Sequence, residues 1–261
     1  MNRRLFISIA VAAVCLRSAH GRAAQPRIGH RGGFHRPPHL LVVLIGGIDS
    51  DPTAEQIDGT ARRFEGNSGL YRLAGDLAVE RVIPEYFNWN GTRAGKIKDK
   101  NPPQARGIAA FIRQHLHDFP ADRVAIIGNS WGAHTALEAL QHLGGNETPQ
   151  AVHLAVFLDP SSTGRVPIAA KSLPINVNRA VNYYTRNMFV WGKWDAGPRL
   201  KNIDLGDPDS GYTVNGEPAY HAKFNMQAHI AAEWDEQIHE DIARHLAEQL
   251  LTLDGPAEPA G

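Results

Sequence analysis

Residues 123–143, RVAIIGNSWGAHTALEALQHL, restrict the fold of this chain more than any other stretch. An aliphatic run ends at Gly128, and a segment with the composition of a helix begins almost at once. Ser130 lies in the turn between them, flanked by Gly128 and Gly132. A serine on a tight strand-to-helix turn has its Oγ pushed out beyond the sheet, and glycines two residues away on each side relieve the crowding. The stretch therefore predicts a strand, a sharp turn that presents a hydroxyl, and a helix.

Apolar runs typical of buried strands alternate with amphipathic segments typical of helices along the rest of the chain. The predicted strands are residues 39–47, 78–89, 122–130, 151–160 and 179–187, with 199–206 as a doubtful sixth. The predicted helices are residues 102–120, 133–143 and about 230–251, preceded by one that starts at Asp51 and Pro52 and turns Ile57, Ala61 and Phe64 to the core. Pro84 favours an edge strand or a bulge, because proline has no N–H for a central ladder. This order predicts an α/β fold, with a mostly parallel sheet of about five to six strands and helices on both faces.

Length and charge favour one globular domain. The 261 residues can bury one sizeable core, and 27 Lys and Arg balance 27 Asp and Glu. A balanced charge gives no support for nucleic acid as a partner. We predict one domain over residues 39–253, followed by a disordered tail over residues 254–261.

The first 24 residues are typical of a bacterial export signal. Arg3 and Arg4 precede an apolar run over residues 5–16, and small residues follow where a peptidase could cut. The paired arginine also resembles a twin-arginine signal. The apolar run is too short for a permanent membrane anchor. We predict a signal peptide over residues 1–24, a flexible leader over 25–38, and a protein that is periplasmic or secreted.

The single cysteine, Cys15, lies within the predicted signal. Its removal would leave no thiol, which excludes disulfides and cysteine-based chemistry in the mature protein. His30, His35 and His39 could recruit a metal, but their glycine- and proline-rich surroundings favour a solvated linker. We therefore expect no metal and no other cofactor.

Two motifs resemble the α/β-hydrolase family. These are GNSWGAH at residues 128–134 and FLDPSS at residues 157–162. They are similar to the lipases of that family, in which the serine turn reads G-H-S-L-G-A-H and the acid follows a strand in an L-D-P turn. The order of elements agrees over most of residues 39–251, although only these motifs match closely. Asn129 stands where the family often has His or Glu, and Trp131 is bulkier than usual.

The resemblance implies a catalytic triad in the chain order nucleophile, acid, histidine. Ser130 would be the nucleophile. For the acid we favour Asp159, because it ends an apolar strand and so lies at the same sheet edge as Ser130. Asp195 is the alternative, since many members of the family carry the acid one strand later.

The histidine must follow both residues in the chain. We favour His229, predicted on a loop just before the last helix, from which it could reach Ser130. His221, eight residues earlier, is the alternative. His239 and His245 fall within the last helix and are interpreted as surface or packing residues. His134 comes too early in the chain to be the base.

An acyl transfer also needs N–H donors for the oxyanion of the tetrahedral intermediate. One would be the N–H of Trp131, directly after the nucleophile. The other would come from the turn IGGIDSD at residues 45–51, where glycines let the backbone approach closely, and we assign it to Gly47 or Ile48.

Together these features predict an exported serine hydrolase that cleaves small-molecule or lipid carboxylic esters. Only about twenty residues separate Asp159 from the fifth strand, too few for a large lid domain. A peptidase, thioesterase or acyltransferase would use the same machinery. The alternative of a different class is a non-catalytic exported binding protein that keeps the fold.

Overall fold

The computed structural model describes residues 36–48, 50–58, 68–89, 102–145, 149–161, 168, 171–186, 192–195, 197–210, 212–214, 217–218 and 226–254. Several predictions fall outside these residues. They concern the export signal (1–24) with Cys15, leader residues 25–35 with His30 and His35, the core positions Ala61 and Phe64, His221, and tail residues 255–261.

A six-stranded, fully parallel sheet forms the centre of the fold. Its strands are β1 (Leu40–Ile45), β2 (Val82–Phe87), β3 (Arg123–Asn129), β4 (Leu154–Leu158), β5 (Ala180–Tyr184) and β6 (Leu200–Asp204). They lie in the order β2-β1-β3-β4-β5-β6. The doubtful sixth strand is therefore real. Pro84 lies on β2, one of the two edge strands, as predicted.

The helices are α1 (Ala54–Asp58), α2 (Gly69–Asp76), α3 (Pro102–Asp118), α4 (Trp131–Gly144), α5 (Met226–Ala232) and α6 (Glu236–Leu251). A short antiparallel pair, β7 (Thr213–Val214) and β8 (Glu217–Pro218), precedes α5. Single 3-10 turns lie at Pro208–Ser210 and Thr252–Asp254. None of the helices in the described part of the chain is long and apolar enough to cross a membrane.

Helices cover both faces of the sheet, as the continuous apolar strands predict. On one face Leu41, Val43 and Ile45 of β1 pack in a core with α3 and α4. On the other face the alternate residues of β1 pack in a second core with α2 and α6. The prediction of an α/β fold with helices on both faces is confirmed.

The last predicted helix is in fact two. Chain direction changes after Ala232, and Asp235 caps α6 by accepting a hydrogen bond from Ile238 N at 3.0 Å. Ile230 consequently lies outside the apolar stripe of α6 and is 61% exposed. The repeat of four that joined Ile230 to the later residues was misleading because a cap interrupts it.

One further prediction needs correction, and one helix was not predicted. Helix α1 buries none of its residues, and Ile57 is exposed rather than in the core. Sequence reasoning missed α2, whose N-cap is Ser68. Near the end of the predicted leader, Arg36 pairs with Asp122 at 2.6 Å.

All six strands run parallel, so their carboxyl ends meet at one edge of the sheet. In open parallel sheets, ligands bind outside this edge. Ser130 follows β3 there, next to the ends of β1 and β4.

Candidate active site

Ser130 occupies a strained turn between β3 and α4. Its φ is 52° and its ψ is −115°. A non-glycine residue with positive φ is unfavourable and is retained where surrounding structure imposes it. The N–H of Ser130 donates to Leu158 O at 2.8 Å, and Ser161 N donates to Ser130 O at 3.3 Å. The turn is thus tied to the end of β4.

Close packing explains both glycines of the serine turn. A Cβ on Gly128 would lie 2.6 Å from Gly132 O. A Cβ on Gly132 would lie 2.3 Å from Gly46 O and 2.4 Å from Ile45 O. No side chain fits at such distances from the backbone, so the predicted crowding is real.

His229 forms the hydrogen bond that the chemistry of a nucleophilic serine requires. Its Nε2 lies 2.9 Å from Ser130 Oγ, and its Nδ1 lies 2.8 Å from Asp159 Oδ2. A carboxylate only accepts, so the Nδ1–H donates to Asp159 and leaves Nε2 to accept from the Ser130 hydroxyl. His229 lies within α5 and not on a loop, which corrects its predicted position.

Asp159 is fully buried and firmly held. Its Oδ1 accepts from Thr185 N at 2.7 Å, and its Oδ2 accepts from Thr185 Oγ1 at 2.8 Å. Like Ser130 it has a positive φ, of 39°. Sequence reasoning missed Thr185, although it directly follows β5 at the edge of the sheet where the site lies.

The alternative residues lie elsewhere or outside the described chain. Asp195 is exposed, while Asp159 is the carboxylate bonded to His229. His239 and His245 are buried rather than at the surface, and burial lowers the pKa of both. His239 Nε2 lies 2.7 Å from Glu233 O, which accounts for its packing role. His134 is also fully buried, within α4.

The residues predicted to supply oxyanion donors lie next to Ser130. A Cβ on Gly47 would lie 3.0 Å from both Ser130 Cβ and Asn129 Nδ2, which fits the predicted close approach. Trp131 begins α4, at the positive end of the helix dipole. Ile48, after Gly47, is 40% exposed.

An aromatic pair adjoins this edge. The rings of Trp89, which follows β2, and Trp131 are 5.3 Å apart between centroids and tilted by 42°. Trp89 could not be predicted from the sequence, because only the sheet order places the end of β2 near the serine turn.

No protein-family profile and no curated protein matches the chain. Several solved structures resemble it. A serine hydrolase without a lid from Xanthomonas campestris is 14% identical over 86% of each chain, with a TM-score of 0.46. The catalytic core domain of acetyl xylan esterase from Trichoderma reesei is 14% identical over 84% of this chain and 98% of its own, with a TM-score of 0.38.

A cutinase from Trichoderma reesei, in complex with a phosphonate inhibitor, is 12% identical over 78% of each chain, with a TM-score of 0.38. Likenesses this distant carry no argument about activity. The fold itself is given by the strand order, the strained serine turn and the order of Ser130, Asp159 and His229. It is the α/β-hydrolase fold that the sequence predicted, and the described residues include no lid domain.

Proposed function

We propose that this protein is a serine hydrolase that cleaves carboxylic esters through an acyl-enzyme on Ser130. The observation that carries the proposal is the unbroken chain of hydrogen bonds from Ser130 Oγ through His229 to Asp159. A serine hydroxyl is a weak nucleophile on its own and needs a base within hydrogen-bond distance. A binding protein has no need to hold a strained serine in this arrangement.

In the acylation step, Ser130 Oγ attacks the carbonyl carbon of the ester while His229 Nε2 takes the hydroxyl proton. The carbonyl oxygen becomes an oxyanion, which the N–H groups of Trp131 and of Gly47 or Ile48 would stabilise. The intermediate then breaks its bond to the alcohol oxygen, which receives the proton from His229. Asp159 stabilises the imidazolium between these events.

In the deacylation step, His229 takes a proton from water as the water oxygen attacks the acyl carbon. The second intermediate breaks its bond to Ser130 Oγ, and His229 returns the proton to that oxygen. The products are a carboxylic acid and free enzyme. Both steps use the same donors for the oxyanion.

The side chain of Ile48 supports an ester with an apolar substituent. Ile48 directly follows Gly47, which packs against Ser130, and it is 40% exposed. Apolar surface near a nucleophile favours binding of an acyl or alkyl group from water.

The test is hydrolysis of nitrophenyl esters of increasing acyl length by wild-type protein and by Ser130→Ala. Wild-type protein should release nitrophenol, with a preferred chain length, and Ser130→Ala should lose about 10⁵-fold or more in kcat. Turnover of nitrophenyl esters by Ser130→Ala at the wild-type rate would reject the proposal. If the wild-type protein turns over only thioesters or only amides, its substrate class is that one instead of carboxylic esters.

We also propose that the protein acts outside the cytoplasm, on the basis of residues 1–24. Fractionation of bacteria that express the full chain should find the protein in the periplasm or medium. Replacement of Arg3 and Arg4 by lysine should reduce export if the twin-arginine route is used. Retention of the wild-type chain in the cytoplasm would contradict export.

A further inference from the structure

A second buried carboxylate lies beside the candidate active site and takes no part in the proposed steps. Glu233 directly follows α5, four residues after His229, and is 5% exposed. Buried carboxylates are costly unless hydrogen bonds compensate for the lost water. The partners of Glu233 therefore indicate what the side chain is retained for.

Each oxygen of Glu233 accepts hydrogen bonds from neutral donors. Oε2 accepts from Asn129 Nδ2 at 2.8 Å and from Ser50 Oγ at 3.3 Å. Oε1 accepts from Ser68 Oγ at 3.0 Å and from Leu70 N at 3.2 Å. One carboxylate thus joins three segments: the turn after β1, the start of α2 and the last residue of β3.

Two of these partners adjoin the reacting groups. Asn129 immediately precedes Ser130, and Ser50 follows the candidate donors Gly47 and Ile48 by two to three residues. The Asn129 amide also packs against Gly47, where a Cβ would lie 3.0 Å from Nδ2. Glu233 therefore holds both sides of the gap in which an oxyanion would form.

Tyr86 strengthens the hold on Ser50. Its hydroxyl donates to Ser50 O at 2.6 Å and lies 2.8 Å from Ser68 Oγ. A Cβ on Gly46 would lie 2.3 Å from the same hydroxyl. The backbone and the side chain of Ser50 are thus fixed from two directions, by Tyr86 and by Glu233.

We propose that Glu233 is a positioning residue for the reaction at Ser130. It fixes Asn129 and Ser50, and through them the distance between Ser130 and the N–H groups of Gly47 and Ile48. The inference rests on the proposed function, because it concerns stabilisation of the oxyanion in that reaction. Donors held in place before reaction stabilise the transition state more than the ground state.

The test compares Glu233→Gln with the matched control Glu240→Gln, an exposed glutamate of α6. Glutamine keeps the shape of Glu233 but turns an N–H₂ group toward donors. We expect kcat for nitrophenyl butyrate to fall about tenfold in Glu233→Gln, with KM within about twofold of wild type. Glu240→Gln should leave both unchanged.

A second measurement separates positioning from general damage. A boronic acid that forms a tetrahedral anion on Ser130 should bind about tenfold more weakly to Glu233→Gln, in parallel with kcat. Melting temperatures identify any variant that fails to fold. If Glu233→Gln does not fold, Ser50→Ala decides, with an expected loss of about threefold to tenfold in kcat at constant KM.

The outcomes distinguish the two proposals. Wild-type protein that turns over no ester rejects the proposed function, and this inference with it. If the wild-type protein is active and folded Glu233→Gln keeps full kcat, the inference alone is rejected. Where Glu233→Gln does not fold, full kcat in Ser50→Ala rejects it in the same way. A rise in KM with no change in kcat would likewise reject it, since it would indicate a role in substrate binding rather than in the transition state.

Discussion

Two buried carboxylates are connected to the serine turn, Asp159 through His229 and Glu233 through Asn129, and they differ in what they bind. Asp159 bonds to a histidine ring, a group that would carry a positive charge during reaction. Glu233 bonds to an amide, two hydroxyls and a backbone N–H, none of which gains a charge. Asp159 is therefore suited to support proton transfer, and Glu233 is suited to hold neighbouring groups in fixed positions.

Burial alone does not assign a catalytic role to a carboxylate. The partner of a carboxylate decides whether its removal affects the chemistry or the spacing. A carboxylate opposite an imidazolium stabilises charge that appears in the transition state. A carboxylate opposite neutral donors acts by preventing movement of the groups that it holds.

The contrast between the two carboxylates predicts the largest effect on kcat for Asp159→Asn. The amide can donate to Nδ1 and would favour the wrong imidazole tautomer, so kcat should fall about 10⁴-fold. Ester hydrolysis measured beside Asp195→Asn provides the control, because Asp195 is exposed and should leave kcat unchanged. Near-full activity in Asp159→Asn would show that Asp159 is not the acid that stabilises the imidazolium of His229.

The serine turn, to which both carboxylates are connected by hydrogen bonds, should depend on Gly132 for its stability. An alanine there would place Cβ within 2.4 Å of two backbone oxygens at the end of β1. We expect a loss of about 3 kcal/mol in the free energy of unfolding, measured in urea. Gly107→Ala in α3 is the matched control, because nothing lies within 4 Å of its Cβ position. It should stabilise by about 0.5–1 kcal/mol.

A smaller effect is expected when Asp159 loses one of its two hydrogen bonds from Thr185. Thr185→Val removes the hydroxyl that donates to Oδ2 and keeps the N–H that donates to Oδ1. A hydrogen bond to a charged group contributes about 1.5 kcal/mol, so kcat should fall about tenfold. Serine at this position keeps the hydroxyl and should restore most of the rate. An unchanged rate in Thr185→Val would show that the backbone donor suffices.

The smallest predicted effect is a pH dependence of the free energy of unfolding that arises from Glu233. Burial raises the pKa of Glu233 above its ordinary value of 4.5, against hydrogen bonds that lower it. Between pH 4.5 and this raised pKa, the folded state binds the proton more readily than the unfolded state, so the free energy of unfolding falls as pH rises through that range. Wild-type protein should gain stability relative to Glu233→Gln as pH falls toward 4.5. If wild-type protein instead loses stability relative to Glu233→Gln as pH falls toward 4.5, this pKa shift is contradicted.

Local patterns in the sequence predicted the sheet and the serine turn. The resemblance to α/β-hydrolases then led to Ser130, Asp159 and His229, which lie together in the structure. Continuous apolar runs indicate buried strands, and glycines two residues from a serine indicate crowding. The sequence could not predict Glu233, since its partners come from segments 104 to 183 residues away. The error at Ile230 had a local cause, a helix cap at Asp235 that the apolar spacing concealed.

The role of Ser130 as a nucleophile is tested most directly by covalent labelling with a fluorophosphonate, followed by mass spectrometry of the intact protein and its peptides. We expect one adduct per chain, on the peptide that contains Ser130, and strongly slowed labelling in His229→Ala. Wild-type protein that takes up no label would contradict this role. So would an adduct that persists at the same rate in Ser130→Ala.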